Sequence, residues 1–208
     1  MKTISELISQ ERKQSSRAGS TFEAGHLDAA PEAAREYLTW HLQHFLGDDA
    51  DLQHVPQVAA WLTSQQARPW ILLTGTPGTG KTTLLRAIMD AFRWWGVEFK
   101  KFPASDLPAL FLDNVEITHD QLLCGHWCRF LLLDDVGTEP VDVKSFGNAV
   151  QPFVRIVEAR YDRRLPLIVT SNLAPADFLN TYGARTFDRM RELCEIVTFD
   201  GPSLRAKE

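Results

Sequence analysis

A glycine-rich loop between a short apolar run and a helical segment constrains this chain more than any other feature. The loop has the spacing Gly-x-x-x-x-Gly-Lys-Thr and consists, in order, of Gly75, Thr76, Pro77, Gly78, Thr79, Gly80, Lys81 and Thr82. Residues 70–74 before it are long enough for one buried strand, and residues 83–89 after it have helical spacing. Glycines let backbone N–H groups surround phosphate oxygens, and the positive end of the following helix points at the same anion. This context predicts a phosphate-binding loop.

The residues that end the loop have separate predicted roles in holding a nucleoside triphosphate. Lys81 would reach the β- and γ-phosphates, the Thr82 hydroxyl would hold Mg²⁺, and Thr83 would complete the nucleotide-binding set. The alternative, a surface turn rich in glycine and proline, leaves the flanking strand and helix unexplained.

The composition excludes several classes of protein. The 208 residues are 44% hydrophobic and 24% charged, which suits one main globular domain with a small appendage. No apolar run approaches the ~20 residues that cross a bilayer, and the N-terminus lacks the apolar core of a secretory signal. Three cysteines without a paired framework favour the cytoplasm. A net charge of −5 argues against coating nucleic acid by bulk charge, although a local basic patch stays open.

Two helices are predicted ahead of the phosphate loop. One covers residues 31–46, with Pro31 in its first turn and Gly47 at its end, and a second runs from Pro56 to Gln66. We therefore divide the chain into a small helical N-terminal region, residues 1–54, and a main domain, residues 55–208.

From residue 70 onward, short apolar runs alternate with helical stretches. This alternation predicts an α/β fold with a parallel five-stranded sheet and helices on both faces. The run at 97–102 alternates apolar with charged residues and is expected at an exposed edge, with Lys100 and Lys101 as guards against edge pairing. The predicted strands are 70–74, 97–102, 130–134, 167–171 and 196–199, and the predicted helices are 81–94, 105–112, 145–163 and 185–192.

Polar residues follow two of the apolar strands. Asp134 and Asp135 end the 130–134 run, and Asn172 follows the 167–171 run. Asp134 would hold the metal beside the γ-phosphate, and Asp135 would orient and deprotonate an attacking water. Asn172 could hydrogen-bond the γ-phosphate or the water. The alternatives are a solvated acidic turn for the Asp pair and an ordinary turn for Asn172.

Three further clusters have a functional and a structural interpretation. Arg185 and Arg189 fall on one helical face, where a guanidinium could stabilise phosphoryl transfer. Spacing alone favours a solvated basic face paired with Asp188 and Glu192. Likewise Arg160, Arg163 and Arg164 could contact nucleic acid, but their place at a helix C-terminus favours a structural role. Residues 124–128 hold two cysteines and a histidine, Cys124, His126 and Cys128, with no second cluster to complete a zinc site.

The order of these parts resembles the AAA+ ATPases of the DnaC/IstB group, over residues 55–205. The shared motifs are Gly75–Thr82, Leu-Leu-Leu-Asp-Asp-Val-Gly at 131–137, Glu-Ala-Arg-Tyr at 158–161, Thr-Ser-Asn at 170–172, Asp-Arg-Met at 188–190 and Phe-Asp-Gly-Pro-Ser-Leu-Arg at 199–205. The resemblance implies an ATPase that assembles side by side as a nucleotide-dependent homo-oligomer, with ATP and Mg²⁺ between subunits. It also implies that Arg189 is an arginine finger, that Asn172 senses the γ-phosphate and that Arg205 is a second sensor.

The resemblance further implies a partner for the ATPase. The first hypothesis is a protein that loads or remodels a replicative DNA helicase during replication initiation, with residues 1–50 as the docking part. An IstB-like ATPase that assists a DNA transposase is the alternative within the same fold. Single-stranded DNA is a further candidate partner, although residues 103–128 contain few basic residues. Two hypotheses from other classes are a small-molecule P-loop kinase and a nucleotide switch that does not hydrolyse ATP.

Overall fold

The computed structural model describes residues 27–113, 118–125, 129–145, 148–201 and 203–204. The chain divides into two compact units, each made of more than one stretch of sequence. The described part of the first unit comprises residues 27–67, 82–97 and 204, and that of the second comprises residues 68–81, 98–113, 118–125, 129–145, 148–201 and 203. None of the helices in the described ranges is both long and apolar enough to cross a lipid bilayer. The domain boundary at residues 54 and 55 stays a prediction.

The first unit is helical. Helix α1 spans Pro31–Leu46, helix α2 spans Val55–Thr63 and helix α3 spans Lys81–Trp94. Pro31 occupies the first turn of α1, and Gly47 ends it with φ +65°. The helix predicted at 31–46 is therefore confirmed with its bounds. The apolar stripe of α1 is buried and includes Tyr37, Leu38 and Leu42.

The second unit contains a parallel five-stranded sheet. The strands are β1 (Trp70–Gly75), β2 (Phe99–Pro103), β3 (Phe130–Val136), β6 (Leu167–Ser171) and β7 (Cys194–Phe199), together with a separate antiparallel pair, β4 (Val143–Ser145) and β5 (Asn148–Val150). The order in the five-stranded sheet is β2-β3-β6-β1-β7. The predicted fold is thus confirmed, because the run predicted at 97–102 forms the edge strand β2 and the runs at 130 and 167 lie inside the sheet.

Both faces of the central strands are buried, because successive strand residues point to opposite faces and both sets are apolar. Ile71, Leu132 and Ile168 on one face are fully buried. The other face packs in one cluster with four helices, α4 (Leu107–Asp113), α5 (Pro152–Asp162), α6 (Pro175–Tyr182) and α7 (Ala184–Leu193). This buried sheet fixes the positions of the strand ends that carry the predicted site.

The helix predicted at 145–163 is wrong at its start. Ser145 ends strand β4, residues 148–150 form strand β5, and Gln151 is extended with φ −104° and ψ 98°, while residues 146–147 lie outside the described residues. The helix begins at Pro152 because proline disfavours helical geometry in the residue before it and suits the first helical position. The prediction also missed α6, although Pro175 and Asp177 mark its first turn, where an Asp177 carboxylate oxygen accepts the Ala174 N–H at 3.3 Å.

Candidate functional site: the phosphate loop and the strand ends

The glycine-rich loop follows the carboxyl end of β1. Three of its glycines have positive φ, +132° at Gly75, +85° at Gly78 and +97° at Gly80. Side chains other than hydrogen disfavour these conformations, so the glycines allow the backbone to turn its N–H groups inward. Helix α3 begins at Lys81, immediately after the loop, and Thr82 and Thr83 lie in its first turn. The strand–loop–helix arrangement predicted from the sequence is therefore present.

Lys81 is buried within its own loop, with 5% of its surface exposed. Its ammonium group donates to the backbone oxygens of Gly75 at 2.8 Å and Thr76 at 2.6 Å. The Thr79 hydroxyl donates to the same Thr76 oxygen at 2.8 Å. The loop thus holds a positive charge at its centre, on neutral carbonyls that the oxygens of a phosphate can replace.

The chain that follows β7 lies against the loop. The Thr76 N–H donates to Phe199 O at 3.3 Å, and the Thr76 hydroxyl donates to Gly201 O at 3.1 Å. A Cβ atom on Gly78 would lie 2.1 Å from the Ser203 hydroxyl oxygen. Sequence reasoning missed this contact, although the Gly-x-Ser spacing at 201–203 was the available signal. Arg205, the predicted second sensor, lies outside the described residues.

Asp134 lies at the end of β3 with 6% of its surface exposed. One carboxylate oxygen accepts the Thr170 hydroxyl at 2.6 Å, and the other lies 2.7 Å from the Lys101 ammonium. Lys101, predicted as a guard of the sheet edge, thus also forms an ion pair with the strand-end carboxylate. Lys101 and Asp134 are distant in sequence and meet because their strands are parallel neighbours. A local sequence pattern cannot predict such a contact.

Asp135 differs from its neighbour in backbone and exposure. Its φ is +58°, and the pairing of β3 with β6 shifts register between Leu133 and Val136. The Asp135 N–H donates to the Thr170 hydroxyl at 2.8 Å, while its side chain is exposed. Aspartate tolerates this left-handed conformation better than most residues. The irregularity turns two successive carboxylates to different surroundings, one buried and ion-paired and one open to water.

A second carboxylate stabilises the turn after β3. Buried Glu139 accepts the Gly137 N–H at 2.8 Å and the Tyr182 hydroxyl at 2.6 Å. Burial and, secondly, the hydrogen bond to Glu139 raise the pKa of Tyr182 above its usual range. The phenol therefore keeps its proton and remains the donor at neutral pH. Sequence reasoning missed this pair, which joins the Asp134–Asp135 strand to helix α6.

Asn172 directly follows β6 and is exposed. The neighbouring Ser171 is buried and donates to Val136 O at 2.5 Å, while its oxygen accepts the Leu173 N–H at 3.0 Å. Thr74 of β1 also donates to Leu173 O. The carboxyl ends of β1, β3 and β6 are thus tied together beside the loop, with Asn172 and Asp135 facing solvent.

Arg189 is held against its own chain. Its guanidinium lies 3.3 Å from a Glu158 oxygen, 3.7 Å from an Asp162 oxygen and 4.8 Å from the centre of the Tyr161 ring. Arg185 lies 3.7 Å from the same Glu158 oxygen, which confirms that the two arginines share a helical face. The partners are Glu158 and Asp162, whereas spacing along the helix predicts Asp188 and Glu192.

The remaining candidates are the buried arginine of α5 and the cysteine and histidine residues near position 124. Arg160 is fully buried, which excludes it from a nucleic-acid surface. The Cys124 sulfur lies 3.5 Å from His119 Nε2, while His126 and Cys128 lie outside the described residues. No three His, Cys, Asp or Glu side chains group as a metal site within the described ranges.

Comparison with known proteins agrees with this geometry. Residues 71–123, which contain the loop, match the model of the AAA family, described as ATPase family associated with various cellular activities. The chain is 24% identical over 152 residues to the replication factor C large subunit of Thermofilum pendens (strain DSM 2475 / Hrk 5). That match covers 73% of this chain and 34% of the relative, so the chain spans about a third of that protein's length.

Three solved structures have a similar fold. DnaI is 24% identical with a TM-score of 0.51, over 65% of this chain and 72% of that chain. The DnaC helicase loader is 18% identical with a TM-score of 0.51, over 88% and 100%. The replication initiator DnaA bound to AMPPCP and single-stranded DNA is 21% identical with a TM-score of 0.56, over 79% and 50%. This is an α/β P-loop NTPase fold of the AAA+ type.

The residues present fit a nucleoside triphosphate and Mg²⁺. The loop offers inward-turned backbone and a central ammonium, which suit phosphate oxygens. Carboxylate and hydroxyl oxygens, such as those of Asp134 and Thr82, are ligands that Mg²⁺ prefers. Both Asp134 oxygens already have partners, however, so a cation there must compete with Lys101.

Proposed function

We propose that this chain binds ATP with Mg²⁺ and hydrolyses it, and that hydrolysis drives the assembly or release of a partner protein. The observation that carries the proposal is the placement of a phosphate loop and a carboxylate pair at the carboxyl ends of one parallel sheet. Ligands of open α/β sheets bind at this edge. Mg²⁺ would supply charge neutralisation of the phosphates, with Thr82 and Asp134 as its protein ligands.

The chain's own residues have distinct proposed roles in the reaction. Lys81 would leave the Gly75 and Thr76 carbonyls and donate to phosphate oxygens, and Gly75, Gly78 and Gly80 would shape the loop around them. Exposed Asp135 would accept the proton of the attacking water. Asn172 would orient the water or the γ-phosphate, and Arg189 of an adjacent subunit would stabilise the transferred charge.

Loading or remodelling of a replicative DNA helicase is the partner activity that we propose. Support comes from the fold shared with the DnaC helicase loader over 88% of this chain and 100% of that one. An IstB-like role beside a transposase uses the same site and differs only in the partner. A small-molecule kinase would also need a pocket that binds the acceptor of the phosphate. Among the described residues at the strand ends, none has an evident role in binding such an acceptor.

Nucleotide binding is tested with Lys81→Ala and Asp134→Asn, with Lys100→Ala as the matched control on an exposed edge position. We expect Lys81→Ala to lose at least about 100-fold in affinity, because two charge-assisted contacts of about 1.5 kcal/mol each disappear. Asp134→Asn should require more Mg²⁺ for nucleotide binding and should lose hydrolysis, since the shape of the side chain is kept and the charge of the metal ligand is not. The measurements are equilibrium binding of a fluorescent ATP analogue and release of inorganic phosphate. Normal hydrolysis by both variants would contradict the site.

The partner is tested by affinity capture from the native cell with the full chain and a non-hydrolysable ATP analogue. Recovery of a hexameric helicase supports loading, and recovery of a transposase supports the alternative. Phosphate transfer to a small acceptor, in place of phosphate release to water, would instead support the kinase.

A further inference from the structure

Lys101 reaches the metal-ligand carboxylate from the neighbouring strand. In the parallel pairing of β2 with β3, Lys101 lies opposite Leu132, and Pro103 lies opposite Asp134. The Lys101 side chain therefore leans along the strand and places its ammonium 2.7 Å from an Asp134 oxygen. Its side chain is 30% exposed, whereas that of Asp134 is 9% exposed. Lys100, one residue earlier, is exposed.

The two Asp134 oxygens have different partners. Thr170 donates to one oxygen at 2.6 Å, a contact between neutral hydroxyl and carboxylate. Among the described residues, Lys101 is the ion-pair partner of the other oxygen. A carboxylate this deeply buried is costly unless an opposite charge compensates it. Lys101 therefore supplies the countercharge at the position where the proposed Mg²⁺ site needs a free carboxylate oxygen.

The Lys101 side chain can also move away from Asp134 at low cost. Its ammonium is a strongly hydrated point charge on a flexible stem, and the side chain already contacts solvent, so breaking the pair exposes the lysine to water instead of burying it alone. A divalent cation at Asp134 replaces a single charge by a double one. Lys101 can therefore rotate outward and leave this Asp134 oxygen available to a Mg²⁺ ion.

We propose that Lys101 is a positioning residue and a built-in counter-ion for Asp134, which Mg²⁺ must displace, so that Lys101 sets the Mg²⁺ concentration required for nucleotide binding. This inference rests on the proposed ATP–Mg²⁺ site. Lys101 is not a catalytic residue here, because it acts through Asp134.

The test compares Lys101→Met with Lys100→Met, a matched loss of one lysine from the same strand. Binding of a fluorescent ATP analogue is followed by anisotropy while Mg²⁺ is titrated. We expect the Mg²⁺ concentration at half-maximal binding to fall about tenfold in Lys101→Met, the lower end of what a nearby opposite charge does to the proton affinity of a carboxylate. Lys100→Met should match the wild type, and Lys101→Arg should restore its Mg²⁺ requirement. An unchanged or higher requirement in Lys101→Met overturns the proposal.

A second measurement needs no nucleotide. Urea unfolding of Lys101→Met, Asp134→Asn and the double variant forms a double-mutant cycle. We expect Lys101→Met to lower stability in the wild-type background but to change it little in the Asp134→Asn background, because the lysine matters only while Asp134 carries its charge. Additive losses overturn the pairing of Lys101 with Asp134. If the wild-type chain binds no nucleotide at any Mg²⁺ concentration, the proposed function fails and the Mg²⁺ role with it, while coupling in the cycle still supports the counter-ion.

Discussion

Gly75 is the single residue on which the junction between strand and phosphate loop most depends. Its φ is +132°, and a Cβ atom there would lie 2.2 Å from the Phe199 backbone oxygen and 2.8 Å from its carbonyl carbon. Backbone atoms of β7 cannot rotate away as a side chain would. Any side chain at position 75 must therefore push β1 and β7 apart.

We expect Gly75→Ala to lower the free energy of unfolding by at least about 2 kcal/mol, from backbone strain and overpacking together. Gly96→Ala is the control, because Gly96 has φ +72° and a Cβ atom added there would meet nothing within 4 Å. The free energy of unfolding of Gly96→Ala should fall only by the cost of a left-handed backbone conformation for alanine, about 1 kcal/mol. Urea unfolding monitored by circular dichroism measures both. Equal losses would show that the contact with Phe199 carries no energy.

The individual residues differ in how far sequence reveals them. Gly75 and Lys81 belong to one eight-residue motif, so their placement together in one loop was predictable. The place of Asp134 near a strand end was predictable because a carboxylate ends an apolar run. Its partner Lys101 was not, because their contact depends on which strands are neighbours and in what register. The register shift that separates Asp134 from Asp135 has no sequence signal either, since aspartate occurs in regular strand ends as well.

Arg160 connects elements that are distant in sequence. The residue is fully buried in α5, and its guanidinium donates to Leu122 O at 2.8 Å, Gln121 O at 3.0 Å, and Arg129 O and Pro166 O at 2.8 Å each. These carbonyls belong to the π-helical segment Thr118–Leu123 and to the residues that precede β3 and β6. One side chain thus donates to backbone oxygens of three separate segments, and of these oxygens Pro166 O also accepts the Leu131 N–H at 3.4 Å.

We expect Arg160→Met to lower the free energy of unfolding by about 3 kcal/mol or more, because several carbonyls lose a charged donor at once. Arg160→Lys should recover only part of this loss, since one ammonium cannot reproduce the planar fork. Arg163→Met is the control. Arg163 is exposed and donates to Ala159 O at 3.2 Å within its own helix, so its loss should change stability by less than about 0.5 kcal/mol. Similar losses in the Arg160 and Arg163 variants would contradict the bracing role.

The sequence predicts that a helix or strand exists more reliably than it predicts the residues at which that element begins and ends. Strands β1, β3 and β6 are continuous apolar runs, and their burial on both faces follows directly from that pattern. The strand pair at 143–150 and helix α6 were missed because both are short. Spacing alone could not show which arginines of the stretch at 160–164 are buried. A buried arginine that donates to backbone carbonyls and an arginine on an exposed surface can have the same spacing in the sequence.

At the scale of the whole molecule, Arg189 is the residue proposed to act across subunits, and its environment within one chain has two aspects. The side chain is 12% exposed and lies near Glu158 and Asp162, yet its Nη1 atom is buried with no hydrogen-bond partner among the described residues. The hydrogen bond from Tyr161, whose ring lies 4.8 Å from the Arg189 guanidinium, lowers the pKa of Glu192 below its usual value, so Glu192 keeps its negative charge at neutral pH. Arg189 is thus held in place with unused donor capacity.

If Arg189 completes the site of an adjacent subunit, turnover must depend on encounters between chains. We expect wild-type phosphate release per protomer to rise with protein concentration, and Arg189→Ala to bind the ATP analogue normally while losing turnover about 10³-fold. Arg191→Ala, an exposed arginine on the same helix, is the control and should keep the wild-type rate. Thermal unfolding of each variant separates a lost structural contact from a lost catalytic one, because only the former lowers stability in the absence of nucleotide. Normal hydrolysis by Arg189→Ala would exclude Arg189 as the residue that completes the site of an adjacent subunit.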